Sequence, residues 1–334
     1  MMDSYNRVLG SFLGAAIGDA MGAATETMTP EMIRQRFGGY LDRMTAPGPG
    51  TFSNGYPAGS VTDDFSLAYY TALAILEGGG TADDAAARNA LLAWADEPQY
   101  YCFAGPSTRS AVDRLRGAPV PEGTLQLACD NSKATNGSAM KIFPAGLMHP
   151  GDPAGSMRDA ITLCKPTHNN TASLSAACAI AASVSVAVTG ADLETVIDAG
   201  FQGAREGEKH GAPVAVASVV RRMELAVSIG RQGLGWEQTM LELGQVVGAG
   251  LSANEAVPCV FGILAATGGD AMSAIRMGVN IGNDTDTIAT MVGAIVGAMS
   301  GTEAFPDGWL EEICEVNHMD LPKIAQSFTE VFYR

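Results

Sequence analysis

Spacing is the strongest constraint in this chain. Glycine recurs at Gly10, Gly14, Gly18 and Gly22 inside the otherwise apolar run GSFLGAAIGDAMG. A four-residue interval on a helix of 3.6 residues per turn lines all four along one face. Glycine in a helix interior costs roughly 0.5–1 kcal/mol relative to alanine. Four of them need a packing reason, and the close approach of another backbone supplies one. The stripe predicts a central helix surrounded by neighbours.

The rest of the chain carries the same period. Apolar residues at helical spacing, with Gly and Pro stops, predict helices over 4–24, 63–77, 82–96, 107–117, 152–164, 169–189, 191–206, 212–230, 236–247, 254–266, 269–280, 285–300, 307–317 and 320–331. No convincing strand alternation occurs, so the expected class is all-α. The one long irregular stretch is DRMTAPGPGTFSNGYPAGSV (42–61), where three prolines forbid a helix. Loops of this length inside a compact fold are usually functional, and this one runs directly into TDD. No low-complexity linker divides the chain, which reads as one domain over 1–334.

Composition narrows the function classes. Hydrophobic residues at 47% and charged residues at 17% describe a globular chain, not a disordered one. Net charge is −16 without any Lys/Arg-rich run, which argues against a nucleic-acid partner. The opening 25 residues have one basic residue, Arg7, and Asp19 interrupts their apolar run. They read as part of the fold rather than as a secretion signal. AACAIAASVSVAV (176–188) is too short to span a bilayer, so no membrane association is expected. Six scattered cysteines without a CxxC pair read as buried free thiols, and the expected location is the cytoplasm.

Two acidic clusters open apolar helices: Thr62, Asp63 and Asp64 in VTDDFSLAYYTALAIL, and Asp284 and Asp286 in GNDTDTIATMVGAIVGA. Helix capping explains one acid at such an edge. It does not explain two, because residues i and i+2 on a helix point about 200° apart. Two buried carboxylates converging on one point repel unless a cation lies between them. Ala289, Gly293 and Gly297 make the second helix a buried post whose mouth faces a cleft. Oxygen ligands without His or Cys suit Mg²⁺, Ca²⁺ or Mn²⁺, and six of them from two segments, counting Thr287 of the second, suit a two-metal site. On spacing alone, metal binding and capping both stand.

These stretches resemble the ADP-ribosylglycohydrolase family, which includes the dinitrogenase reductase-activating glycohydrolases and the ADP-ribosylarginine and ADP-ribosylserine hydrolases. TDD and GNDTDTIATMVGAIVGA look like its two signatures. GSFLGAAIGDAMGAATE (10–26), NGSAMKIFPAGL (136–147), THNNTASLSAACAIA (167–181) and NEAVPCVFGIL (254–264) resemble further family segments in the same order. The resemblance implies an all-α fold around two Mg²⁺ or Mn²⁺ ions held by Thr62, Asp63, Asp64, Asp284, Asp286 and Thr287. It implies a catalytic or gating part for Glu26, ribose and phosphate contacts from Asn136, Gly137 and Ser138, and a ligand-proximal His168. Two positions depart from the pattern. Phe65 stands where the family often has a threonine, and Thr135 where a glycine usually precedes Asn-Gly.

The expected reaction is hydrolysis at the anomeric ribose carbon of ADP-ribosylated protein side chains or ADP-ribose conjugates. Asp284 or Asp286 would position or activate water, with Glu26 as the alternative base. A nucleoside or other small riboside is the second expectation for substrate, and a catalytically silent binding relative the third. Arg109 reads as structural before phosphate-binding. Trp94, Trp236 and Trp309 read as core.

Overall fold

The computed structural model describes residues 3–119 and 127–333. Seventeen α-helices and no strand occur among the described residues, with two isolated bridges pairing Thr135 with Ser252 and Asn170 with Ala212. The all-α expectation holds, and the buried apolar side chains form one cluster. Several expected helices fall within two residues of those found, among them Asp63–Glu77, Pro153–Cys164, Ala253–Thr267 and Thr285–Ser300. The expected helix over 212–230 begins only at Val219. Ala212 is instead paired with Asn169 and Thr171, and Asn131 clamps Ala215 from both sides of its amide group. The Pro30–Phe37 helix was not expected. Thr29 caps it, Pro30 starts it, and Gly38 ends it in the left-handed conformation, a start and stop of the ordinary kind.

The glycine stripe of the opening helix, Ser4–Gly22, lies against Thr285–Ser300. The two run antiparallel with backbones in contact. A Cβ on Gly10 would stand 2.5 Å from the Gly297 carbonyl oxygen, on Gly14 2.3 Å from that of Gly293, and on Gly18 2.1 Å from that of Ala289. On Gly22 it would stand 2.3 Å from the Asp286 Cα. The contact is reciprocal, since a Cβ on Gly293 or Gly297 would come within 2.0 Å of the Gly14 or Gly10 carbonyl oxygen. The Ser11 hydroxyl donates to the Ala294 carbonyl at 2.9 Å, and the Thr25 hydroxyl meets that of Thr285 at 3.0 Å. The two stripes read separately in the sequence are therefore the two halves of one seam. Its antiparallel sense brings the end of the first helix, and Glu26 just beyond it, to the start of the last-mentioned one.

The Asp63–Glu77 helix docks on the same end. Phe65 is fully buried, stacked on Phe143 at 6.3 Å between ring centres. The Phe143 ring in turn meets Phe12 edge-on at 5.2 Å. Phe65 thus fills the core. Trp94 is fully buried and donates its indole N–H to the Ser66 hydroxyl, while Trp236 and Trp309 are half-buried against the core. The thiols differ from expectation in part. Cys164, Cys178 and Cys259 are buried, but Cys102 is exposed, and all six are free. No described helix is long and apolar enough to cross a membrane.

Candidate functional site

An N-terminal aspartate normally accepts the free N–H groups of its own helix. Thr62 does this for its helix, accepting from Asp64 N. Asp284 occupies the corresponding place on Thr285–Ser300 but makes no such bond. Its carboxylate takes the Asn136 side-chain amide and lies beside the Thr287 side chain. Its backbone N–H is fixed to the Ala249 carbonyl at 3.0 Å. The Thr287 side chain also neighbours Asp64, so it stands between the two signatures, its one hydrogen serving one carboxylate at a time. Oxygens of Glu26, Asp284 and Asp286 lie within 4.8 Å of one another. The fold therefore assembles Thr62, Asp64, Asp284, Asp286 and Thr287, all buried, with the half-buried Asp63 and Glu26.

The electrostatics are those of an uncompensated cluster. Burial first, then the charges of Asp284 and Asp64, push Glu26 up to about 8. Burial and Asp64 push Asp284 up to about 7. Burial lifts Asp64 to about 6, with the neighbouring Thr287 and Thr62 side chains opposing the rise. Asp63 and Asp286 are held well above the ordinary carboxylate range, by burial and then by Asp64 and Glu26 respectively. No ion pair among the described residues reaches any of these acids. Asp64 Oδ1 is buried without a hydrogen-bond partner. Two unit charges 4 Å apart repel by roughly 4 kcal/mol at an effective dielectric of 20. Such a set stays ionised only around a cation, and its all-oxygen donors suit a hard divalent ion. The residues fit that group.

The loop carrying Glu26 is pinned to the loop carrying Asp284. Thr27 N donates to the Asn283 carbonyl at 2.8 Å, and Asn283 N to that of Met28 at 2.9 Å. Both Thr27 and Asn283 hold positive φ, 68° and 64°, a costly conformation for residues with side chains, and one that collects at functional sites.

The 136–138 segment divides. Asn136 faces Asp284, but the Ser138 hydroxyl is spent on the Ser173 carbonyl at 2.8 Å. Gly137 lies over the His168 ring, where a Cβ would stand 2.9 Å from Cε1. His168 is buried, bonded through Nε2 to the Thr135 hydroxyl at 2.8 Å. Burial, then Lys141, lowers its pKa to about 3, so it stays neutral and supports this loop from beneath. Thr135 has φ −92° and ψ 164°, extended backbone that needs no glycine. Arg109 donates to the carbonyls of Ala104, Tyr101 and Cys102 and stacks on Tyr101, which makes it structural.

One acid was missed. Asp19 is fully buried, with its carboxylate on the Thr62–Phe65 turn, and burial, then Asp64, raises it to about 8. A lone carboxylate inside an apolar helix was the available signal.

Buried acids at the joined ends of helices make an oxygen-lined site on an all-α fold. The chain belongs to the ADP-ribosylglycohydrolase family, whose model matches residues 1–334. The uncharacterized protein YegU of Escherichia coli (strain K12) is 33% identical over 333 residues, covering 97% of this chain and 96% of its own. The ADP-ribosylarginine hydrolase Tri1 of Pseudomonas putida (strain GB-1) is 26% identical over 329 residues, 97% of this chain and 78% of its own. A solved structure of an ADP-ribosylglycohydrolase-related protein complex shares the fold, with a TM-score of 0.69 over 99% of both chains at 23% identity.

Proposed function

We propose that the chain is a divalent-cation-dependent hydrolase that cleaves the glycosidic bond at the anomeric ribose carbon of ADP-ribosylated protein side chains or other ADP-ribose conjugates. The observation that carries this reading is the convergence of buried acids with no cationic partner among the described residues and one unpartnered oxygen, Asp64 Oδ1. Thr62, Asp63, Asp64, Asp284, Asp286 and Thr287 would hold two Mg²⁺ or Mn²⁺ ions. Bound there, the ions supply positive charge that neutralises the acids and polarises ribose hydroxyls. Glu26, pushed up to about 8, holds a proton near neutral pH and stands at the edge of the cluster. It can protonate the leaving atom or, once ionised, take a proton from water. Asp286, with a carboxylate oxygen within 4.8 Å of one of Glu26, would orient it. Asn136 fixes Asp284, and His168 holds Gly137 so that backbone rather than a side chain meets the substrate. An oxocarbenium-like transition state at this carbon gains from the surrounding carboxylates. Six free thiols support a reducing, cytoplasmic setting.

A smaller riboside is the second reading. Ser138 and Arg109 already spend their donors on backbone carbonyls, which leaves fewer for a diphosphate. Calorimetric titration of ADP-ribose, adenosine and ribose into Mn²⁺-loaded and chelated protein separates the two. Cation-dependent micromolar binding of ADP-ribose is expected. Tight binding of adenosine with none of ADP-ribose would transfer the assignment to a small riboside.

A further inference from the structure

Asp19 lies outside the six residues assigned to the cations, yet three donors converge on it. Thr62 N approaches Oδ1 at 3.1 Å and Oδ2 at 2.9 Å, Phe65 N approaches Oδ2 at 2.9 Å, and the Thr62 hydroxyl approaches Oδ1 at 2.9 Å. The same hydroxyl oxygen lies 3.1 Å from Asp64 Oδ2. A threonine hydroxyl has one hydrogen and two lone pairs. With that hydrogen on Asp19, the nearer acceptor, and one lone pair accepting Asp64 N at 3.4 Å, no hydrogen remains between Thr62 Oγ1 and Asp64 Oδ2 and one lone pair of Thr62 stays open. Two oxygens so placed, beside the unpartnered Asp64 Oδ1, present lone pairs to a common point.

We propose that Asp19 is a positioning residue for the cation site. By taking the Thr62 hydroxyl hydrogen it turns that hydroxyl from a donor into an oxygen ligand. By taking the Thr62 and Phe65 N–H groups it locks the first turn of Asp63–Glu77 onto the opening helix. The proposal rests on the reading of Thr62 and Asp64 as cation ligands. Asparagine cannot replace Asp19. It has a single acceptor oxygen, and its NH₂ would either oppose a backbone N–H or donate to Thr62 Oγ1 and consume the lone pair.

The test is Mn²⁺ titration calorimetry on the chelator-stripped full chain, comparing wild type, Asp19→Asn, Thr62→Ala and the double variant. Melting in chelator reports on the fold. Partners of metal ligands typically contribute about 10–100-fold to affinity. Asp19→Asn is expected to weaken Mn²⁺ binding by that factor while the metal-free midpoint holds or rises. In the Thr62→Ala background the same change is expected to cost less than about threefold, since Asp19 acts through Thr62. Wild-type affinity in Asp19→Asn, or an equal loss in both backgrounds, would overturn the proposal. Should Asp19→Asn not fold, Thr62→Ser and Thr62→Val decide: weaker binding in the valine variant alone supports it, and equal affinities overturn it. A wild-type chain that binds no Mn²⁺ would sink the cation reading itself, a result distinct from either.

Discussion

Asp284 stands where a helix cap belongs and caps nothing; its carboxylate is turned to Asn136 and Thr287 instead. At the residue scale this separates an acid spent on its own helix from one left free of that duty. Asp286→Ala removes a carboxylate from the middle of the cluster, and both turnover and Mn²⁺ binding are expected to be lost. Calorimetry and a hydrolysis assay on the folded variant check this, and retained turnover would withdraw Asp286 from the site. Glu26→Gln is expected to behave differently. It keeps shape and burial but loses the transferable proton, so kcat should fall by roughly 10²–10⁴-fold, the usual worth of a general acid or base. Mn²⁺ affinity should stay within about tenfold. The six proposed ligands were legible because they come in two short, acid-rich runs at helix starts. Asp19 was not, because one acid in an apolar helix acquires meaning only from the turn that docks on it.

At the scale of the element, the seam between Ser4–Gly22 and Thr285–Ser300 sets the position of the site. Gly14→Ala brings two opposed effects. Helix propensity gains roughly 0.5–1 kcal/mol, but the new Cβ would stand 2.3 Å from the Gly293 carbonyl oxygen. Backbone cannot yield as a side chain does, so the helices must part, at a cost of roughly 1–3 kcal/mol or more. Net destabilisation is expected, read as a lower urea midpoint, together with weaker Mn²⁺ binding, because Glu26 and Asp284 lie at the same end of the parted seam. Gly39→Ala, where an added Cβ meets nothing within 4 Å, should change stability by less than about 0.5 kcal/mol. The period-four glycines announced a close neighbour but could not name it. The partner's stripe lies some 280 residues away, and no local pattern specifies which two faces meet.

At the scale of the whole molecule, the acids couple stability to pH and, on the proposed function, to divalent cations. Their folded pKa values are raised by burial and mutual repulsion, Glu26 and Asp19 to about 8 and Asp284 to about 7. In the unfolded chain such groups ionise near 4. The folded state therefore holds more protons between about pH 4 and 8, and stability falls as pH rises through that window. In chelator, the melting midpoint is expected to drop from pH 5 to pH 8. A divalent cation favours the ionised acids, so added Mn²⁺ should raise the midpoint more at pH 8 than at pH 5. Scanning calorimetry at the two pH values, with and without Mn²⁺, checks both signs, and a metal-free midpoint that rises with pH would contradict them.

Local pattern by itself determined the helical class, most helix boundaries, the buried character of the two glycine-bearing helices and the two acidic runs, because period, capping and small-residue spacing act within a few turns. The tertiary structure alone decided that the two stripes pair antiparallel, that Phe65 enters the core, that 212–218 is claimed by Asn131 and Asn169 rather than by a helix, and that Asp19 joins Thr62. Each of these depends on which distant surfaces come into contact. That choice is set by steric fit and by the satisfaction of buried polar groups across the whole chain, not by the preferences of any one segment.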